Sequence, residues 1–316
     1  MTPAGASESS PLPTSDNAEP CPSKALGRLL VLLAALLWST SGLFAKAPLF
    51  ADWPEDIRGI LLGFWRAGVV ALVLIPGVRS PRWNVWLIPL CLCFAGMNVS
   101  YLTGMSLTTA ANTIWLQNLA PSWVFLYTLL LFREPIARED YIPLVLGLFG
   151  VGVILAFEIH GQDRLGVAAG IFSGMTYAGV IVFMRRLRTE NTVYLVFLCH
   201  AFSAAIVFPL FLYYGIWPTP VQLAVLFAFG IVQTGIPYVL FATALRHIPG
   251  QEAVAIGLLE PVVLPLWVYL VWGELAAPWT LVGAGFILTG LVARYVVVEA
   301  IRLHDRRQTV EYPIES

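Results

Sequence analysis

The sequence predicts an all-α membrane protein: ten transmembrane helices arranged as two inverted five-helix repeats. Three observations carry this expectation. The chain is 58% hydrophobic and 12% charged, with a mean hydropathy of +0.78, and that is about half the charge of an ordinary soluble domain. Its Lys and Arg residues gather in alternate connections, and one stretch recurs at a fixed offset of 140 residues (121 to 261).

Ten continuous apolar runs are long enough to cross a hydrocarbon layer about 30 Å thick at about 1.5 Å per residue. They are 29–50, 59–78, 86–107, 112–132, 141–157, 166–184, 193–214, 221–245, 253–272 and 278–298. The runs are continuous rather than alternating, and lipid offers no partner to unpaired backbone, so helix is the expected structure. Residues 1–28, rich in Pro, Ser, Thr and Ala, have little to bury and are expected to form a disordered cytoplasmic tail. The apolar run that follows is too long for a signal peptide. The first repeat then covers 29–158, the second 166–298, and residues 299–316 form another cytoplasmic tail.

An internal amino terminus places Lys24, Arg28, Arg79, Arg82, Arg133, Arg138, Arg185, Arg186, Arg188, Arg246, Arg294, Arg302, Arg306 and Arg307 on the cytoplasmic side, and leaves Lys46, Arg58 and Arg164 outside. Fourteen against three is a strong positive-inside bias, and an odd number of spans would break it. Both termini are therefore expected in the cytoplasm of a multi-pass protein of the cell (inner) membrane. Four cysteines, Cys21, Cys91, Cys93 and Cys199, have neither disulfide-framework nor zinc-ligand spacing.

The 140-residue offset relates Pro121 to Pro261, Glu134 to Glu274, Gly150 to Gly290 and Lys46 to Arg186, and Trp38 lies near the counterpart of Tyr177. Five helices per copy is an odd number, so the second copy enters the membrane from the opposite side. In such inverted halves a solute site lies near the bilayer midplane, between units that rock to face one side and then the other.

The phrase Leu259-Glu260-Pro261-Val262-Val263, then Trp272-Gly273-Glu274-Leu275 and the glycine-rich run from Gly283 to Gly290, resembles the carboxyl-terminal half of EamA-type transporters in the drug/metabolite transporter superfamily. The first half is similar too, through Leu36-Leu37-Trp38-Ser39-Thr40-Ser41, Phe64-Trp65-Arg66-Ala67, and Leu119-Ala120-Pro121 continuing to Arg133-Glu134-Pro135. The resemblance covers about residues 29–298. It implies a ten-helix bundle with cytoplasmic termini that exports a small metabolite such as an amino acid by alternating access. A nucleotide-sugar or sugar-phosphate carrier is the alternative within transport.

An ionisable group at the bilayer centre costs about 2.5–3.5 kcal/mol on insertion scales, so each one is a candidate for the solute pathway. Glu260, just before Pro261, could bind an ammonium group or a coupling proton, or satisfy a neighbouring helix while Pro261, like Pro121, acts as a hinge. Arg66 could hold a carboxylate, snorkel to the interface, or pair with an internal acid. His200 could line the pathway or pack as a neutral, hydrogen-bonded ring. Asn98 with Tyr101, Tyr238 with Phe241, and Asn112 with Trp115 are each three residues apart and share a helix face. With Gln117, Asn118, Trp38 and Tyr177 they could wall a polar, aromatic cavity for a small zwitterion. Trp53, Trp83, Trp86, Trp217 and Trp279 read as interface anchors. Gly59 with Gly63, and Gly166, Gly170 and Gly174, form GxxxG spacings that serve close packing within the bundle or between two copies.

No HExxH, phosphate loop, GxSxG or pair of intramembrane aspartates occurs. An ATP-driven pump and a nucleic-acid partner are therefore not expected, nor is a metal or cofactor. A membrane-embedded lipid-acting enzyme would need a nucleophile, acid and base converging near one interface, which the sequence does not display. The expected partners are a small-molecule substrate and the lipid bilayer. Coupling to protons and the choice between monomer and homodimer stay open.

Overall fold

A computed structural model describes residues 23–79, 81–127, 129, 141–158, 164–187, 189–244, 247–248, 253, 256–293 and 296. Among them every regular element is helical: α1 (Lys24–Trp38), α2 (Ser41–Ala45), α3 (Glu55–Leu74), α4 (Leu87–Leu107), α5 (Ala110–Gln117), α6 (Ala120–Tyr127), α7 (Tyr141–Glu158), α8 (Arg164–Arg186), α9 (Thr192–Tyr214), α10 (Pro220–Ala228), α11 (Ile236–Ala244), α12 (Leu259–Trp272) and α13 (Pro278–Val292). A π-helical segment, Phe229–Gly235, joins α10 to α11. Six helical stretches of 21 to 23 residues are long and apolar enough to cross a membrane, and Leu144–Phe157, Leu259–Trp272 and Pro278–Val292 are shorter apolar helices. The expected internal residues Arg133, Arg138, Arg188, Arg246 and Arg294, and Glu134 of the repeat, lie outside the described residues, as do most of the two expected tails.

Several expected spans are subdivided. Helix α1 begins at Lys24, inside the stretch expected to be disordered, where the Ser23 hydroxyl accepts from the Leu26 amide at 3.3 Å. The first run breaks at Ser39 and Thr40, whose hydroxyls donate to the carbonyls of Leu36 and Leu37 at 2.7 and 2.6 Å. Those bonds satisfy carbonyls that the ending helix has released. The fourth run breaks at Asn118 and Leu119, and the ninth at Leu258, which is 140 residues after Asn118. Pro121 and Pro261 therefore fall in the first turns of α6 and α12, where a missing N–H removes no helical bond. Helix interruption at Pro261 itself, as the sequence implies, is corrected to a break three residues earlier.

Lipid is as apolar as the helices, so packing depends on close approach of small residues rather than on apolar burial. A Cβ on Gly59 would overlap the backbone of Leu102 and Thr103, and one on Gly174 would come within 2.7 Å of the Leu116 carbonyl. Gly166 and Gly170 likewise face Thr108 and Leu116. Both GxxxG stripes are thus consumed inside the chain, α3 on α4 and α8 on α5. Helices α7 and α13 meet at Gly150 and Gly283, each against the other's carbonyl. Trp83 and Trp217 are 76% and 67% exposed, whereas Trp53, expected as an interface anchor, is buried against Phe50 with ring centroids 5.0 Å apart.

The packing obeys the 140-residue offset. Helix α4 packs along α8 and α11 along α1; α4 packs on α9 and the π segment on α3; α5 and α6 pack on α8, and α12 on α1 and α2. The equivalent helices α3 and α9 pack on each other, as do α7 and α13.

Gly59→Ala and Gly174→Ala are expected to lower stability by roughly 1–3 kcal/mol, the usual cost of overpacking. Gly68→Ala, which meets nothing within 4 Å, should be neutral or mildly stabilising. Thermal unfolding of the purified variants in detergent checks the contrast, and equal midpoints would remove the close-packing account.

Candidate functional site

The break between α1 and α2 is the point on which three other elements converge. From α4, the Tyr101 hydroxyl lies 2.8 Å from that of Ser41. From α12, the Trp267 indole donates to Ser39 Oγ at 3.1 Å. From the π segment, Gln233 Nε2 donates to the Trp38 carbonyl at 3.4 Å. A broken helix exposes polar backbone that neighbours must satisfy, and here the neighbours that do so carry the polar centre of the bundle.

Arg66 on α3 is 7% exposed, and its guanidinium is solvated by neutral groups. One terminal nitrogen donates to Asn98 Oδ1, the other to Gln233 Oε1 at 3.2 Å, and the plane lies 5.1 Å from the Phe229 ring centroid. Asn98 Nδ2 in turn donates to the Gly63 carbonyl and to Ser203 Oγ, both at 3.0 Å. Thr234 Oγ1 donates to Gln233 Oε1 at 2.6 Å. Arg66 thus neither snorkels nor pairs with an acid among the described residues; two amides fix it between α3, α4 and the π segment.

Around this network stands an aromatic wall. Trp38 packs edge-on to Tyr238 and tilted to Phe241, with centroids 5.4 Å away in both cases, so the shared face of α11 points at the break. His200 is buried between Phe94 and Tyr238 at 4.6 and 6.2 Å, with Nδ1 2.8 Å from the Val196 carbonyl. This is the packed, hydrogen-bonded ring. Tyr177 is 36% exposed, yet its hydroxyl is within electrostatic reach of Glu260 and Tyr238. Glu260, in the first turn of α12, is half-buried and accepts no hydrogen bond and forms no ion pair among the described residues.

The remaining expected members lie elsewhere. Asn112 is fully buried at the start of α5, bonded to Thr108 Oγ1 at 3.1 Å and to Thr280 Oγ1 at 2.5 Å. Trp115 is buried in the main core, and Asn118 is half-buried at the α5–α6 break, donating to the Ile114 carbonyl at 2.9 Å. The single cavity expected to join Asn98 and Asn112 is thus corrected to two polar groups at different depths. The second group contains residues not singled out as a site from sequence. Lys46 and Glu274 form an ion pair at 2.8 Å; Lys46 also donates to the Thr108 carbonyl at 2.6 Å, and Glu274 accepts from the Ala110 amide at 2.7 Å. Gly273, at φ 72°, turns the chain after α12 so that Glu274 reaches α5. Opposite charges ending the first and fourth helices of both copies were the available signal. For Gln233, Thr234 and Ser203 the signal was only polarity within an apolar run.

An apolar recess of about 360 Å³ between Phe44, Pro48, Val225 and Trp272 is lined by none of the polar side chains of either group. Exposed Leu49, Val271 and Trp272 border it, which suits a lipid chain rather than a polar solute.

Comparison with known proteins finds one family profile in both halves of the chain. The profile of the EamA-like transporter family matches residues 25–156 and again 164–295. An uncharacterized transporter of Archaeoglobus fulgidus is 28% identical over 197 residues, 61% of this chain and 70% of that protein. The uncharacterized transporter YwfM of Bacillus subtilis is 24% identical over 276 residues, 84% of this chain and 92% of that one. A solved crystal structure superposes with a TM-score of 0.60 at 19% identity, covering 87% of this chain and 99% of its own, and supports the fold. The two matches to one profile begin 139 residues apart (25 and 164), in step with the internal repeat, and on them the chain belongs to the EamA-like transporter family.

Proposed function

We propose that this transporter moves a small metabolite, such as an amino acid or a related amine, out of the cytoplasm by alternating access between inverted halves. What supports the reading is the repeat itself: five apolar runs per copy in the sequence, with breaks at Asn118 and Leu258 in corresponding places. Broken helices meeting at mid-depth are how such folds present polar backbone to a solute. On this reading residues 29–158 and 166–298 are the two moving units, both termini are cytoplasmic, and the positive-inside count sets the orientation in the inner membrane.

The Lys46–Glu274 group is then the closed outer end. It ties α2, the ends of α4 and α5, and the α12–α13 connection through one ion pair and two charged hydrogen bonds. Arg186 and Glu134 occupy the corresponding sequence positions in the opposite copies and would write the same tie at the inner end. A nucleotide-sugar or sugar-phosphate cargo calls for several cations at the centre; among the described residues Arg66 is the one cation there, and it is already bound by two amides.

Two outcomes are expected. Ala137→Cys and Ala277→Cys, placed in a chain whose Cys21 is replaced by serine, should react with a membrane-impermeant maleimide from opposite sides; labelling from one side would remove the inverted basis. In the same background, Thr280→Cys should be protected in the otherwise native chain, and adding Lys46→Met should speed its labelling about tenfold, the effect of shifting the closed state by about 1.4 kcal/mol. An unchanged rate would show that the pair does not hold that end shut.

A further inference from the structure

We infer that the solute recognised at the centre is an organic ammonium ion, held by the Glu260 carboxylate within the aromatic wall, and that Arg66 is part of the wall rather than a ligand for the solute. This deepens the carrier reading and rests on it.

The two intramembrane charges differ in what is left free. Arg66 is nearly inaccessible, with both terminal nitrogens and its face engaged by Asn98, Gln233 and Phe229. Its Nε is buried without a partner, so no ligand atom reaches it. A carboxylate could bind only by displacing Asn98 or Gln233, and each of those amides also bonds to a further element. Glu260 is the reverse case. It is partly buried, and its carboxylate receives no donor among the described residues. Tyr101 and Tyr238 are its electrostatic neighbours, with Tyr177. The Tyr101 hydroxyl is paired with that of Ser41 at 2.8 Å.

A carboxylate in a low-dielectric site without a donor is costly, and a ligand that brings positive charge removes that cost. The rings supply the rest. Trp38 and Tyr238 meet edge-on beside Tyr177, and aromatic faces attract an ammonium ion and its apolar substituent together. A compact zwitterion fits less well. The guanidinium of Arg66 is already bound by Asn98 and Gln233, so a carboxylate carried beside the ammonium finds no free cation among the described residues. The free charge offered to a solute is therefore negative only.

Three probes that share a phenyl ring separate the possibilities: 2-phenylethylamine, phenylalanine and 3-phenylpropanoate. Binding to the full chain in detergent is read by quenching of tryptophan fluorescence, and movement is read separately as flux in proteoliposomes. The amine should bind at least tenfold more tightly than either other probe. Glu260→Gln should weaken it at least tenfold while unfolding at the native temperature or above, and Glu260→Asp should restore part of the affinity. Equal amine binding by Glu260→Gln, tighter binding of the zwitterion or the carboxylate, or no binding of any probe overturns the inference. Amine binding that depends on Glu260 without flux of any probe would uphold the site and defeat the carrier reading. Flux indifferent to Glu260 would do the opposite.

Discussion

A guanidinium inside a bilayer must be solvated by the protein itself, and much of the arrangement at the centre of this bundle follows from how Arg66 is solvated. No carboxylate among the described residues meets it. Asn98 and Gln233 do, and those amides are held by Gly63 and Ser203 on one side and by Thr234 and the Trp38 carbonyl on the other. Satisfying one charge thereby joins α3, α4, α9, the π segment and the break after α1. Buried polar networks of this kind fix one arrangement because a half-satisfied member is costly. The absence of a side chain at Gly63 belongs to the same constraint: a Cβ there would press within 3.2 Å of Asn98 Nδ2.

The π segment shows why local irregularity is retained. An extra residue per turn between Phe229 and Gly235 turns Gln233 and Thr234 toward the centre within an otherwise apolar run. π bulges are rare and gather at functional sites, since they give up helical hydrogen bonds for the placement of a few side chains. Here the side chains so placed close the coordination of Arg66 and reach the carbonyl freed at Trp38. Two irregularities, a broken helix and a bulged one, answer each other's unsatisfied groups.

How much of this is readable without a structure depends on whether depth or face is at issue. The pairing of Tyr238 with Phe241 is readable, because residues three apart share a face whatever packs on them, and both rings do meet Trp38. The repeat is readable because one offset relates 121–150 to 261–290 without a gap. The grouping of Asn112 with Asn98 is not. Asn98 lies nine residues before the end of α4, whereas Asn112 is the third residue of α5, so the two sit at different levels of the bundle. Hydropathy also carries the fourth run straight through Asn118 and so hides the break that separates α5 from α6. Likewise Lys46 reads as a loop cation until Gly273 turns Glu274 back to meet it. Spacing along one helix is local information, and the ion pair depends on where two distant turns end.

Energetics link the end of the bundle to its centre. A hydrogen bond to a charged group contributes about 1.5–3 kcal/mol net, so the few ties around Lys46 and Glu274 hold their end shut by several kcal/mol at most. Moving a two-state equilibrium from 1:99 to 99:1 takes about 5.5 kcal/mol of differential binding. The two quantities are of one order, as the proposed carrier requires. A dozen such ties would lock the end beyond the reach of any small solute, while none would leave it open at both ends. Glu260, without a partner among the described residues, fits the same scale: neutralising a poorly solvated charge, by a cationic solute or a proton, is among the few local events large enough to compete with a closed gate.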